Sequence, residues 1–400
     1  MQDKFDVVIL GGGLAGLCTA KTILKNTNIS VLIIDNGYSS VNNPTRLTFK
    51  DTIEKFELTD SILTSYNNFL IRTVNGFESH HKFDSDILVA LDYQRACNIL
   101  KEKLYQFKST KILKGKAQRF YYEDNYVKIE TNNNLVFTAS ILIDATGKKH
   151  FVLSNLNKPK PSLYSHSFGM LYDNCVNLET NKCYFIAASK RYGSGGGWFY
   201  PISQKKASVG FAIVNQSERF PAKELKQNFR KAIKQFYPFS SFLKDANPLN
   251  FEIGTIPVEN VDNFVYKQIV LIGDSVGHAT PWMCMGVEPI LISGELAGNV
   301  VRKAVEIKNF DEQFLSEYQK GWERLYKKPF GKFKNDSQKI WFLDDEVWDF
   351  LILYDVNKLS SDQMLVRMRG NGYLMSRKTA LRRWFIFKLK KKLGILKQMK

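Results

Sequence analysis

Four hundred residues with 44% hydrophobic and 24% charged side chains form an ordinary globular balance and more chain than one small core needs, so two domains and an appendage are expected. Five scattered cysteines, Cys18, Cys97, Cys175, Cys183 and Cys284, with no C-x-x-C pair, argue for reduced thiols in a cytoplasmic setting and against a disulfide or zinc framework. No apolar run is long enough to span a bilayer, no charged-then-apolar leader precedes the first strand, and the net charge of +18 is concentrated at one end, where Arg367 to Lys400 holds twelve Lys and Arg and no Asp or Glu.

The chain opens on Val7 to Leu10, an apolar run of strand type. Gly11, Gly13 and Gly16 follow in a G-x-G-x-x-G frame, and Leu17 to Asn26 reads as a helix. In that frame the first glycine permits the turn, the second lets main chain approach a diphosphate, and the third lets helix pack on strand. Free N–H groups at the helix start then face the phosphates. A second buried strand, Val31 to Ile34, ends in Asp35 about 20 residues on, where a ribose hydroxyl is held. An adenine dinucleotide is therefore expected here.

The connection from Asn36 to Thr48 is polar. Its Arg46 is either a cofactor contact or a solvated loop residue. Asp51 to Leu70 reads as helical and Phe69 to Phe83 as short strands turning at Gly76. A helix begins after Ala90, with Ala96, Ile99, Leu100 and Leu104 on one face. Arg95 faces outward from it, as a surface charge or as a cation for the phosphate side. Lys111 to Thr138 reads as a β meander. It runs into strand Ile141 to Ile143 and the small-residue loop Ala145-Thr146-Gly147, a combination that points to FAD more than NAD.

From residue 151 to 265 strand-like runs at Ser165 to Leu171, Cys183 to Ala187, Gly197 to Tyr200, Ala207 to Val214 and Phe251 to Ile256, with a helix from Ala222 to Phe236, indicate a mostly antiparallel inserted sheet. The nucleotide fold resumes with the strand before Gly273 and Asp274, whose carboxylate can accept from a ribityl hydroxyl. Pro281 and Gly286 lead into a helix from about Glu288 to Ala304, its N-terminus aimed at the flavin ring.

Together these features give an α/β fold class: a Rossmann-like FAD-binding domain (1–50, 85–150 and 266–305) interleaved with a mostly antiparallel substrate domain (51–84 and 151–265), plus a helical C-terminal region (306–400). The glycine turn, Asp35, the 145–147 loop and Gly273-Asp274 resemble the flavoprotein class of aromatic hydroxylases, flavin halogenases, geranylgeranyl reductases and lycopene cyclases. The resemblance covers about the first 300 residues and implies FAD, with NAD(P)H, another donor or a reductase partner as the source of electrons.

Within that class, Trp198-Phe199-Tyr200-Pro201, then eight residues, then Gly210-Phe211-Ala212 resembles the W-x-F-P, eight residues, G-x-G pattern of geranylgeranyl reductases, with Tyr200 and Ala212 as departures. The resemblance implies that Trp198 and Tyr200, with Trp282 nearby, line a hydrophobic pocket over the flavin. The halogenase G-W-x-W-x-I-P segment matches only at Gly197-Trp198 and Pro201. Where the class carries P-x-x-G-x-G, this chain has Pro281-Trp282-Met283-Cys284-Met285-Gly286. Cys284 is thus either a proton donor or redox partner, its thiolate favoured by the helix start, or a buried thiol filling space. His278 is either an acid near the ring or a histidine satisfied by main-chain bonds.

In the tail, residues 376–400 place Leu381, Trp384, Phe385, Leu389 and Leu393 at helical spacing amid Lys and Arg. This suits either peripheral attachment to an anionic inner-face membrane or packing on the protein body; no motif for nucleic acid accompanies it. The favoured reading is hydride transfer to a double bond of a polyprenyl or lipid-like molecule. A flavin-dependent monooxygenase or halogenase of an aromatic ring is the alternative, and a non-catalytic membrane-associated flavoprotein the third.

Overall fold

The runs Val7–Leu10, Val31–Ile34, Ile141–Ile143 and Ile269–Leu271 have no polar side to turn to water, so they become strands covered on both faces. In the computed structural model, which describes residues 3–37, 45–187, 189–280, 283–326, 341–370 and 376–396, the strands in chain order are β1 (Lys4–Leu10), β2 (Val31–Asp35), β3 (Arg46–Phe49), β4 (Ile62–Tyr66), β5 (Asn68–Arg72), β6 (Glu78–Lys82), β7 (Leu88–Leu91), β8 (Thr110–Lys114) and β9 (Ala117–Glu123). There follow β10 (Tyr126–Thr131), β11 (Val136–Asp144), β12 (Tyr164–Asp173), β13 (Lys182–Ile186), β14 (Gly197–Pro201), β15 (Ala207–Asn215), β16 (Asn247–Pro257), β17 (Val265–Tyr266) and β18 (Ile269–Leu271).

The first sheet has the order β17-β18-β11-β1-β2-β8, with the β9–β10 meander hanging from β11. Its central strands are parallel, Val7 standing opposite Ile141 on one side and Val31 on the other. The Leu14–Leu24 and Val287–Ile307 helices cross closely over it because Gly294 and Gly298 carry no side chain: a Cβ on Gly298 would lie 2.6 Å from Cβ of Thr22. The second sheet runs β16-β12-β15-β14-β13-β5-β6 and is antiparallel except where β13 meets β5, with Tyr184 beside Leu70. A third sheet has the order β3-β7-β4.

The expected helix over Asp51 to Leu70 is corrected: only Lys50–Lys55 is helical, and the rest supplies a short 3-10 turn, β4 and the start of β5. Pairing with Leu88–Leu91 and with Cys183 and Tyr184 overrides the local pattern there.

The C-terminal helices Asp345–Tyr354 and Ser361–Met368 sit on the β5–β6 hairpin, where Asn75 Nδ2 donates to Asp349 Oδ2 at 2.7 Å and Ser361 Oγ to the Lys82 carbonyl at 2.6 Å. The tail helix is Arg377–Lys392, shorter than expected, and its apolar residues do not share one face. Phe387 is 1% exposed and Trp384 packs edge-on to Phe350 with ring centroids 5.1 Å apart, whereas Leu381 (63% exposed), Phe385 (71%) and Leu389 (49%) point outward. The helix is apolar on two sides, and one of them is left uncovered. Among the described residues no helix is long and apolar enough to cross a membrane.

Candidate functional site

The opening turn and the 145–147 loop are built against each other. Gly11 has φ +109°, and a Cβ there would lie 2.3 Å from the Ala145 carbonyl oxygen; one on Gly16 would lie 2.2 Å from that of Gly11. Gly13 precedes the Leu14–Leu24 helix and has no side chain to cap it, so the helix starts at the edge of the cleft, where the Tyr93 hydroxyl accepts from Leu14 N at 3.3 Å. The loop holds its shape through Asp144, fully buried at the end of β11, which accepts from Thr146 N (2.9 Å), Thr146 Oγ1 (2.6 Å) and Val152 N (2.8 Å).

Asp35 ends β2 at the cleft wall, accepting from Gly37 N at 3.3 Å with Lys101 Nζ 3.4 Å away. Gly273 (φ +65°) lets the third strand end abut Ala15, where a Cβ would come within 2.9 Å. Asp274 borders the cleft, and its Oδ1 is buried with no hydrogen-bond partner. Burial pushes its carboxyl up to about 6, with the Arg46 guanidinium acting in the opposite sense. These parts line one cleft of about 700 Å³ with Arg46, Tyr93, Gly147, Lys149 and Thr255. An uncapped helix start, an unpaired acceptor and a bare glycine turn all facing one cleft fit a dinucleotide, whose phosphates need donors and whose sugar hydroxyls need acceptors.

A second, mostly apolar cavity of about 100 Å³ opens between the sheets, lined by Phe185, Trp198, Tyr200, Met283, Cys284 and Met285, with Gly286 beside them. Arg46 and Gly254 line both spaces. Arg46 also lies over the Tyr93 ring, 5.1 Å from its centroid. The Val287–Ile307 helix begins directly after Gly286, again without a side-chain cap.

Of the expected site residues, the cleft gathers Gly11, Gly13, Asp35, Arg46, Gly147 and Asp274, and the cavity gathers Trp198, Tyr200, Cys284 and Gly286, while Gly16 and Gly273 shape the cleft from beneath. Arg95 stands elsewhere, exposed and paired with Glu102 at 3.1 Å. His278 lies behind the wall, its Nδ1 accepting from Gly273 N at 3.1 Å and its ring stacked on Trp322 with centroids 3.8 Å apart. Burial pulls its pKa well below the ordinary value, so the ring stays neutral. Pro281 and Trp282 fall outside the described residues.

Cys284 adopts φ +53°, in the left-handed region that favours glycine. Its thiol is pushed up to about 11 by burial, with Ser165 hydrogen bonding acting weakly the other way. Of the two readings of Cys284, burial thus outweighs the lowering by a nearby helix start, and the thiol keeps its proton at neutral pH.

Two participants carried no sequence signal. Tyr93 reads as an ordinary helix residue until the fold sets its hydroxyl under the glycine turn. Glu252 and Ser208, behind Trp198, meet only through pairing across three strands.

A family model described as lycopene cyclase protein matches residues 6–181. Digeranylgeranylglycerophospholipid reductase 2 of Methanopyrus kandleri is 29% identical over 166 residues, 41% of each chain. Digeranylgeranylglycerophospholipid reductase 1 of Methanococcoides burtonii is 21% identical along the whole length of both. In three dimensions, a geranylgeranyl bacteriochlorophyll reductase-like protein from Thermoplasma acidophilum superposes with a TM-score of 0.78 at 17% identity, covering 98% of this chain and 99% of that one. A flavin-dependent brominase gives a TM-score of 0.68 at 17% identity, covering 97% and 100%. In sequence and in fold the chain is thus similar to FAD-dependent oxidoreductases, and among them to the geranylgeranyl reductase-like proteins.

Proposed function

We propose that this chain is an FAD-dependent reductase that saturates carbon–carbon double bonds in the polyprenyl chains of a lipid. The observation that carries the reading is the apolar cavity walled by Trp198 and Tyr200, which meets the dinucleotide cleft at Arg46 and Gly254. Similarity to digeranylgeranylglycerophospholipid reductases supports the substrate class.

Bound FAD, reduced by NAD(P)H or a protein donor, supplies the hydride. The main chain of the Gly11–Gly13 turn at the helix start would hold the diphosphate, Asp35 would accept from the ribose, Asp274 Oδ1 from the ribityl chain, and the start of the Val287–Ile307 helix would favour negative charge on the ring. The cavity wall holds the alkene and excludes water. Cys284 Sγ, protonated and facing the cavity, gives the proton that completes the addition, and solvent restores it. His278, turned away from both spaces, takes no part.

The outward row Leu381, Phe385 and Leu389, set among Lys378, Arg382, Lys390 and Lys392, supports a second part of the proposal: the tail rests on an anionic bilayer from which the lipid is drawn.

The test is anaerobic turnover of the purified flavoprotein, chemically reduced, with a geranylgeranyl phospholipid in anionic vesicles. Appearance of saturated chains supports the reductase. Product formed only with oxygen uptake identifies a monooxygenase instead, and a flavin that no reductant bleaches overturns the enzyme reading.

A further inference from the structure

Trp198, the cavity wall, is held by a relay that ends on a buried carboxylate. Gly169, Gly210 and Trp198 lie side by side on β12, β15 and β14, and the indole lies flat across the two glycines. A Cβ on Gly210 would come within 2.1 Å of the ring, and one on Gly169 within 2.8 Å. The indole Nε1 donates to Ser208 Oγ at 3.0 Å, and Ser208 Oγ donates to Glu252 Oε2 at 2.6 Å. A hydroxyl has one hydrogen. Because Ser208 spends it on the carboxylate, its lone pairs are left to accept from the indole, and the direction of the whole relay is set by Glu252.

The other carboxylate oxygen, Oε1, accepts from Thr45 N at 3.0 Å and Thr45 Oγ1 at 2.7 Å. Thr45 immediately precedes Arg46, which lines both the cleft and the cavity. Glu252 is 6% exposed, and the Arg46 charge acts on it in addition to these hydrogen bonds. Burial pushes its carboxyl pKa up, while the Ser208 and Thr45 hydrogen bonds and the Arg46 charge act in the opposite sense, so these partners are what hold an acceptor at this buried place.

We infer that Glu252 is a positioning residue for the lipid cavity, fixing the Trp198 ring through Ser208 and the Arg46 junction through Thr45. The inference rests on the reading of the cavity as the lipid site, and deepens it by naming what sets the cavity's shape.

The test uses the full-length flavoprotein and the variants S208A, E252Q and E252A, with geranylgeraniol as probe. Three readouts are followed: near-ultraviolet tryptophan dichroism, probe affinity by calorimetry, and FAD affinity by fluorescence quenching. S208A cuts only the tryptophan branch; it is expected to weaken the probe about tenfold and change the dichroism while leaving FAD affinity within about twofold. E252A cuts both branches and is expected to lose about tenfold on probe and on FAD alike. E252Q, which keeps an acceptor, recovers most of the probe affinity. If E252A does not fold, S208A and E252Q carry the comparison. Unchanged dichroism and probe affinity in S208A, or equal loss of FAD in S208A and E252A, overturns the inference. Wild-type protein that reduces no prenyl lipid yet shows these shifts would sink the proposed reaction and leave the role of Glu252 standing.

Discussion

Phe387 lies edge-on to Phe350, ring centroids 5.7 Å apart at 66°, while Phe385, two positions earlier on the same helix, is 71% exposed. The pair divides the tail into a docking side and a free side. F387A is expected to destabilise the protein by about 3 kcal/mol, because it empties a packed site. F385A should leave thermal unfolding unchanged and instead reduce co-sedimentation with anionic vesicles, an effect that raised salt reproduces in the wild type. Equal vesicle binding by F385A and wild type would remove the membrane part of the proposal.

Gly11 tolerates no side chain. G11A meets the Ala145 carbonyl at 2.3 Å in a backbone conformation that L residues avoid. The expected outcome is a loss of about 1–3 kcal/mol in stability and protein that purifies without flavin. Absorbance in the visible, with unfolding by denaturant, checks both.

Asp274 gives the protein without cofactor a definite pH dependence. Its folded carboxyl is raised to about 6, above the ordinary value of about 3.9, so the protonated form suits the fold. Stability linked to it is complete below the unfolded value and falls as pH rises through the folded one. D274N should flatten the stability profile between about pH 4 and 6 and gain on the order of 1–2 kcal/mol at neutral pH, the edge of the residue that meets the cleft reducing the full effect. D274A should also weaken FAD by about tenfold, since it deletes the acceptor.

Cys284 should resist alkylation at pH 8 and react as pH approaches the raised value of about 11, followed by mass spectrometry of the labelled peptide. C284A is expected to lower turnover with little change in lipid affinity, because alanine keeps a methyl group at the cavity wall and removes the thiol proton. C284G relieves a left-handed side chain worth about 1–3 kcal/mol but frees the unfolded chain, so its net stability should stay within about 1 kcal/mol of wild type.

The cleft was legible because its parts are local: strand, glycines and helix follow one another from Val7 to Leu24, and Gly273-Asp274 ends a strand whose burial is written in its own residues. The stretch from Asp51 to Leu70 was not, since partners more than twenty and more than a hundred residues away decide that β4 and β5 are strands. The tail showed its charge and spacing but not its two sides, because Phe387 and Trp384 are sorted from Phe385 only by the presence of Phe350. The proton on Cys284 depended on a competition between helix start and burial that spacing cannot weigh. Glu252 was invisible for the same reason Tyr93 was: each meets its partner across strands or elements remote in the chain.

The parallel sheet is finished by β18, although β1 and β2 precede it by more than two hundred residues. A ribosome must therefore emit the chain beyond residue 271 before β11 gains its outer neighbour, and beyond residue 307 before the Val287–Ile307 helix can roof the Leu14–Leu24 helix. Until then the apolar strands at the start stand open. Nascent chains of this protein should thus be long-lived clients of holdase chaperones, and neither half expressed alone should yield a soluble nucleotide-binding fragment.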